Sequence, residues 1–191
     1  LKRLKKNKGL LNFFFNKFNF FYCKKHILIN SNSYDFITSE RPLIEEQNIV
    51  LLDIMFEHEE RIAMGSNPEI KETKEFYSNL NNLLNNLSKT YGKKIVVCIH
   101  PKDNLNKKKK IFKNYKVIKY ASRENILKAF MVIFFDTSVI VDAIYLKKKI
   151  ILINSKAMDK NQISGGLDYH YRAGVTKIDL ERYKLKNKKE L

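Results

Sequence analysis

The chain has 191 residues, 44% hydrophobic and 12% aromatic, enough for one sizeable core and too apolar for a disordered segment. Its formal net charge is +17, and its only cysteines, Cys23 and Cys98, lie far apart in apolar surroundings. That usage excludes a disulfide framework and a cysteine-ligated metal, and it reads as reduced thiols in a cytosolic protein.

Asn, Lys, Ile, Phe and Tyr are plentiful, a habit of AT-rich coding that accounts for much of the charge. A basic surface still attracts polyanions. The lysines are dispersed and no recognised DNA- or RNA-binding motif accompanies them, so nucleic acid is not the expected partner. The sequence begins at Leu1 without an initiating Met and ends in a lysine-rich run, and it reads as part of a longer protein.

Residues 1–24 form a basic, aromatic segment. Its apolar run, Leu10 to Tyr22, is interrupted by Asn and Lys and falls short of the about 20 residues that span a bilayer. It is expected to be a helix packed on the body or an interdomain linker, in preference to an interfacial helix on an anionic membrane. Residues 25–191 are expected to form one domain. His26 to Ile29 and Ile49 to Ile54 are strand candidates, with Asp53 near the end of the second. Pro68 to Tyr91 carries Phe76, Leu80, Leu83, Leu84 and Leu87 at helical spacing, and Gly92 supplies the stop.

Ile95 to Ile99 is a continuous apolar run, as in strands buried on both faces of a parallel sheet. Further strands are expected at Lys116–Tyr120, Met131–Phe135 and Ile150–Ile153. The basic run Lys107–Lys110 reads as a solvated loop or short helix. One helix is expected to start at Ser122 as N-cap and another to run from about Ser138 to Leu146. Beyond Ser155 the chain looks looser, and Val175, Ile178 and Leu180 look too weak for another core strand. Strand–helix alternation at this spacing implies an α/β fold, a Rossmann-like doubly wound parallel sheet.

Open parallel sheets bind ligands beyond the carboxyl ends of their strands. The polar residues expected there are Asp53 with Glu57 and His58; His100, Pro101 and Lys102; Ser122, Arg123 and Glu124; and Asp136, Thr137 and Ser138. Pro101 holds His100 in an extended backbone, which helps aim the imidazole out of the strand end. An imidazole donates to a phosphate oxygen, the stabilisation that departure of a nucleotide needs. Thr137 and Ser138 at a helix start also suit a phosphate. Glu57, His58 and Asp53 are acid–base or interdomain candidates by residue type. The sequence has neither Gly-x-Gly-x-x-Gly nor a P-loop, which argues against a redox dinucleotide fold and a P-loop kinase.

Strand-His100-Pro101-Lys102, followed by strand-Asp136-Thr137-Ser138-helix-Lys147-Lys148-Lys149-strand, resembles the bacterial surface-polysaccharide glycosyltransferases of GT-B type. These include the capsule polysialyltransferases and the lipooligosaccharide sialyltransferases. The segment Leu51 to Glu60 also resembles their opening strand and interdomain loop, and the resemblance covers roughly residues 48–154. It implies the C-terminal, nucleotide-binding half of a two-domain enzyme. His100 would contact the nucleotide phosphate, Thr137 and Ser138 would hold it, and Ser122 and Glu124 would lie beside base or ribose. The general base would come from an acceptor-binding domain that no segment here matches. No metal or other cofactor would be needed, in keeping with the lack of an Asp-x-Asp motif.

The expected function is transfer of a sugar from a nucleotide donor, CMP-sialic acid first, to a glycan or lipid-linked acceptor in capsule or lipooligosaccharide synthesis. The expected location is cytoplasmic and peripheral to the inner membrane. The alternatives are a phosphoglycerol- or Kdo-type transferase of the same fold, and a non-catalytic domain that binds nucleotide or a partner protein.

Overall fold

The computed structural model describes residues 47–55, 70–135, 137–158 and 175–183. All of them belong to one compact unit, Asn32–Leu191. The expected N-terminal helix, the strand at His26–Ile29, Cys23, Glu57, His58 and Asp136 lie outside the described residues. In chain order the elements are β1 (Asn48–Leu52), α1 (Ile70–Tyr91), β2 (Lys94–Ile99), α2 (Leu105–Ile111), β3 (Lys116–Lys119), α3 (Ser122–Leu127), β4 (Ala129–Phe134), α4 (Ile140–Tyr145), β5 (Lys149–Asn154) and β6 (Thr176–Asp179).

The strands form one six-stranded sheet in the order β3-β2-β1-β4-β5-β6. Every pairing is parallel. β1 therefore sits inside the sheet between β2 and β4, and its residues Ile49, Val50 and Leu51 are fully buried. Parallel strands covered on both faces need apolar residues at successive positions, and the runs KIVVCI and AFMVIF supply them.

Two cores lie on the two faces. Ile49, Leu51, Ile95, Val97, Ile99, Met131 and Ile133 join Phe76, Leu80 and Leu84 of α1 and Phe112 just after α2. Val50, Leu52, Val96, Cys98, Val132 and Phe134 join Ile126 of α3 and Ile140 and Ala143 of α4. The alternation of strand residues between these clusters is the period-two geometry of the pleat. With helices on both faces, the fold is a doubly wound, Rossmann-like α/β arrangement.

α1 shows which force wins. Asn79, Asn81, Asn82, Asn85 and Asn86 each disfavour helix by up to about 0.7 kcal/mol. Burial of Phe76, Leu80, Leu83, Leu84 and Leu87, none more than 2% exposed, contributes about 1.5–3 kcal/mol apiece. The apolar stripe prevails. The helix ends as its sequence suggests, with Gly92 at φ +63 and the Lys93 N–H donating to the Ser88 carbonyl at 3.3 Å.

β6 corrects the expectation that nothing after Ser155 joins the core. It pairs along β5 from Ile151↔Thr176 to Asn154↔Asp179, and Ile178 and Leu180 are buried. Its TKID sequence is polar because only Ile178 of the four is buried. Among the described residues no helix is long and apolar enough to cross a membrane.

Candidate functional site

The strand order places β1 and β4 side by side although the chain visits β2 and β3 between them. In sheets of this kind such a reversal, beyond the carboxyl ends of the strands, is where ligands bind. Around this edge stand Asp53 after β1, His100 after β2, Tyr120 after β3, Thr137 and Ser138 after β4, and Ser155 after β5.

His100 leaves the buried strand β2 and is exposed, as are Pro101 and Lys102. Its carbonyl accepts from the Asp103 N–H at 2.9 Å, closing a tight turn with Pro101 at the second position. Its Nδ1 accepts from the Lys102 N–H at 3.2 Å. With Nδ1 as acceptor, the neutral ring carries its proton on Nε2. The turn thus sets both the placement and the tautomer of the imidazole, and the ring can act as a hydrogen-bond donor.

Immediately after the turn, Asp103 Oδ1 accepts from the Asn104 N–H at 2.7 Å, and Asn104 Oδ1 caps α2 by accepting from the Lys107 N–H at 3.0 Å. Tyr120 Oη donates to the Pro101 carbonyl from the neighbouring strand end at 3.3 Å.

Beneath this turn lies a buried polar cluster. Lys108 Nζ reaches Asp53 Oδ2 at 2.5 Å and the Ile54 carbonyl at 3.0 Å, and it also donates to Tyr77 Oη. Asp103 Oδ2 stands at ion-pair distance, 3.2 Å, without hydrogen-bond alignment. The side chains of Asp53 and Lys108 are 0% and 5% exposed. Burial pushes the Asp53 carboxyl up from 3.8 to about 6, although Lys108 pulls the other way.

One ammonium thus ties the end of β1, helix α1 and the start of α2 together under His100. This arrangement corrects the reading of Lys107–Lys110 as a solvated face, since Lys108 points inward while Lys107, Lys109 and Lys110 are exposed. The signal was in the spacing: Lys108 has Leu105 three residues before it, and Ile111 and Phe112 three and four after it. For Asp53, among the acid–base candidates, the structure provides a buried partner.

On the opposite face, Ser122 is the first residue of α3, not its N-cap; Ala121 holds that position and makes no side-chain cap. The Ser122 side chain instead hydrogen-bonds the Cys98 thiol, and Glu124 lies near enough to act on it electrostatically. Burial pushes this thiol up to about 12, so it is inert at neutral pH. Arg123 Nε pairs with the buried carboxylate of Asp142 at 3.0 Å and links α3 to α4.

Thr137 is half-buried and Ser138 exposed. The start of α4 also departs from expectation, because the cap is Val139 and no side chain caps the helix. Thr137 Oγ1 accepts weakly from the Val139 N–H at 3.4 Å, and the Thr137 carbonyl accepts from the Ile140 N–H at 3.3 Å.

His100 and Thr137 follow β2 and β4, which flank β1. Their backbones are therefore separated by about two strand spacings, roughly 10 Å. Sequence reasoning missed Ser155 and Glu181. The Ser155 hydroxyl donates to Glu181 Oε1, which also accepts from the Lys156 N–H at 2.9 Å, bracing the ends of β5 and β6. Nothing marked that pair, because β6 itself was not expected.

No protein-family model, curated protein or solved structure matches the chain.

Proposed function

We propose that the chain is the nucleotide-binding half of a GT-B-type glycosyltransferase of bacterial capsule or lipooligosaccharide synthesis, with CMP-sialic acid as donor. The observation that supports this most is the His100-Pro101 turn. It presents an exposed imidazole of defined tautomer at the carboxyl edge, one strand away from the β1/β4 reversal. A phosphate bound beyond the end of β1 accepts from His100 on one side and from Thr137 and Ser138 on the other. The resemblance assigns Ser122 and Glu124, at the start of α3, to base and ribose.

In the reaction, the acceptor hydroxyl oxygen forms the new glycosidic bond while the sugar–phosphate C–O bond breaks. The nucleotide leaves as its monophosphate, with His100 donating to the phosphate oxygen that gains charge. The acceptor's proton passes to a base supplied from outside the described residues. The fold supports the nucleotide half of this reading, and the resemblance in the His-Pro and Thr-Ser segments supports the donor class.

Thermal-shift measurement against CMP, UMP, UDP and GDP tests it. A ligand that binds the folded state alone raises the melting temperature, by about 2.7 kcal/mol of stability at a hundredfold excess over Kd. The reading expects selective stabilisation by CMP, lost in His100→Ala. Stabilisation by UDP or GDP only would overturn the sialyltransferase assignment. No response to any nucleotide would overturn the nucleotide site itself.

A further inference from the structure

Tyr120 stands out on three counts. It is 74% exposed, the most open of the large apolar side chains described. Its φ is +65, in the left-handed region where a side chain other than Gly or Asn is held at a cost. Its hydroxyl is nevertheless pinned, donating to the Pro101 carbonyl across the β3–β2 edge at 3.3 Å.

An exposed aromatic on a strained backbone contributes little to the core, so stability does not explain its presence. The pinned hydroxyl restricts the side chain while leaving most of it open. The site also lies one residue past β3, two residues before Ser122, and beside the turn that carries His100. Lys119 Nζ lies 5.4 Å from the ring centroid, so a cation stands against the same aromatic.

A nucleotide whose phosphate meets His100 and whose base runs outward over β3 passes this ring. Flat heteroaromatic bases stack on such rings whatever their hydrogen-bonding edge, and a restrained ring loses less freedom on binding. We infer that Tyr120 is the stacking platform for the nucleobase, so that the turn after β2 holds the phosphate and the residue after β3 holds the base. This inference rests on the nucleotide-site reading above and assigns the base half of that site.

The test titrates CMP and, separately, inorganic phosphate into the wild type, Tyr120→Gly and Tyr120→Phe by calorimetry, with a thermal melt of each. Gly relieves the left-handed backbone, so Tyr120→Gly is expected to melt no lower than the wild type. It should nonetheless bind CMP about tenfold or more weakly, as loss of one stacked base implies. Its phosphate affinity should be unchanged. Tyr120→Phe keeps the ring and should stay within about threefold of the wild type for CMP.

CMP affinity unchanged in Tyr120→Gly overturns the platform while leaving the nucleotide site standing. Weakened CMP binding accompanied by a lowered melt and equally weakened phosphate binding also overturns it, making Tyr120 a structural pin. A wild type that binds no CMP overturns the site and the platform together.

Discussion

Asp53 and Lys108 show how a buried charge shapes the edge of the sheet. Burial opposes ionisation of Asp53, and the ammonium at 2.5 Å only partly offsets it, so the carboxyl sits near 6 against 3.8 when solvated. The folded protein then holds this proton more tightly than the unfolded chain. The Asp53 contribution to stability is fully present below about 3.8 and is lost as pH rises through about 6.

Denaturant titrations of the wild type and Asp53→Asn check the sign. The stability of the wild type relative to the variant should fall between about pH 4 and pH 7. A difference that stays flat or grows with pH would show that folding does not raise the Asp53 carboxyl above its solvated value. The sequence made Asp53 visible as a polar residue ending an apolar strand. It hid Lys108, because four consecutive lysines look solvated unless each is placed on its own helical face.

At the scale of elements, buried parallel strands were the easiest to read. Ile95 to Ile99 and Met131 to Phe134 are unbroken apolar runs, and α1 announced itself by Phe76, Leu80, Leu83, Leu84 and Leu87 with Gly92 behind them. Short helices were less legible. Ser122 looked like a cap and instead meets the Cys98 thiol, a contact that exists only once β2 and α3 are packed together. The start of α4 was expected near Ser138 and lies at Ile140, after a tight turn through Thr137.

β6 was missed because a strand at the margin of the sheet needs few apolar residues, and Ile178 alone carries its interior contact. Its place predicts a clear cost: Ile178→Ala should destabilise the domain by about 2–5 kcal/mol, as measured by chemical denaturation. A surface loop at that position would cost under about 0.5 kcal/mol, and a result of that size would remove β6 from the core.

For the whole molecule, the order β3-β2-β1-β4-β5-β6 decides what the separate residues mean. Neither His100-Pro101 nor Thr137-Ser138 identifies a site as a short motif. The sheet sets them on the two sides of β1 at one edge, with Tyr120 farther out on the β3 side. A net charge of +17 attracts anions to the protein without choosing which anion or where it binds. Strand alternation made this topology legible in outline, whereas the sequence could not show which neighbour each strand would take.

The central claim is that His100 meets a nucleotide phosphate. The direct measurement is a calorimetric cycle in which CMP and cytidine are each titrated into the wild type and His100→Ala. The account predicts that the wild type binds CMP more tightly than cytidine, and that this phosphate advantage falls about tenfold or more in the variant, the loss of one charge-assisted hydrogen bond. Equal phosphate advantages in the two proteins would contradict it.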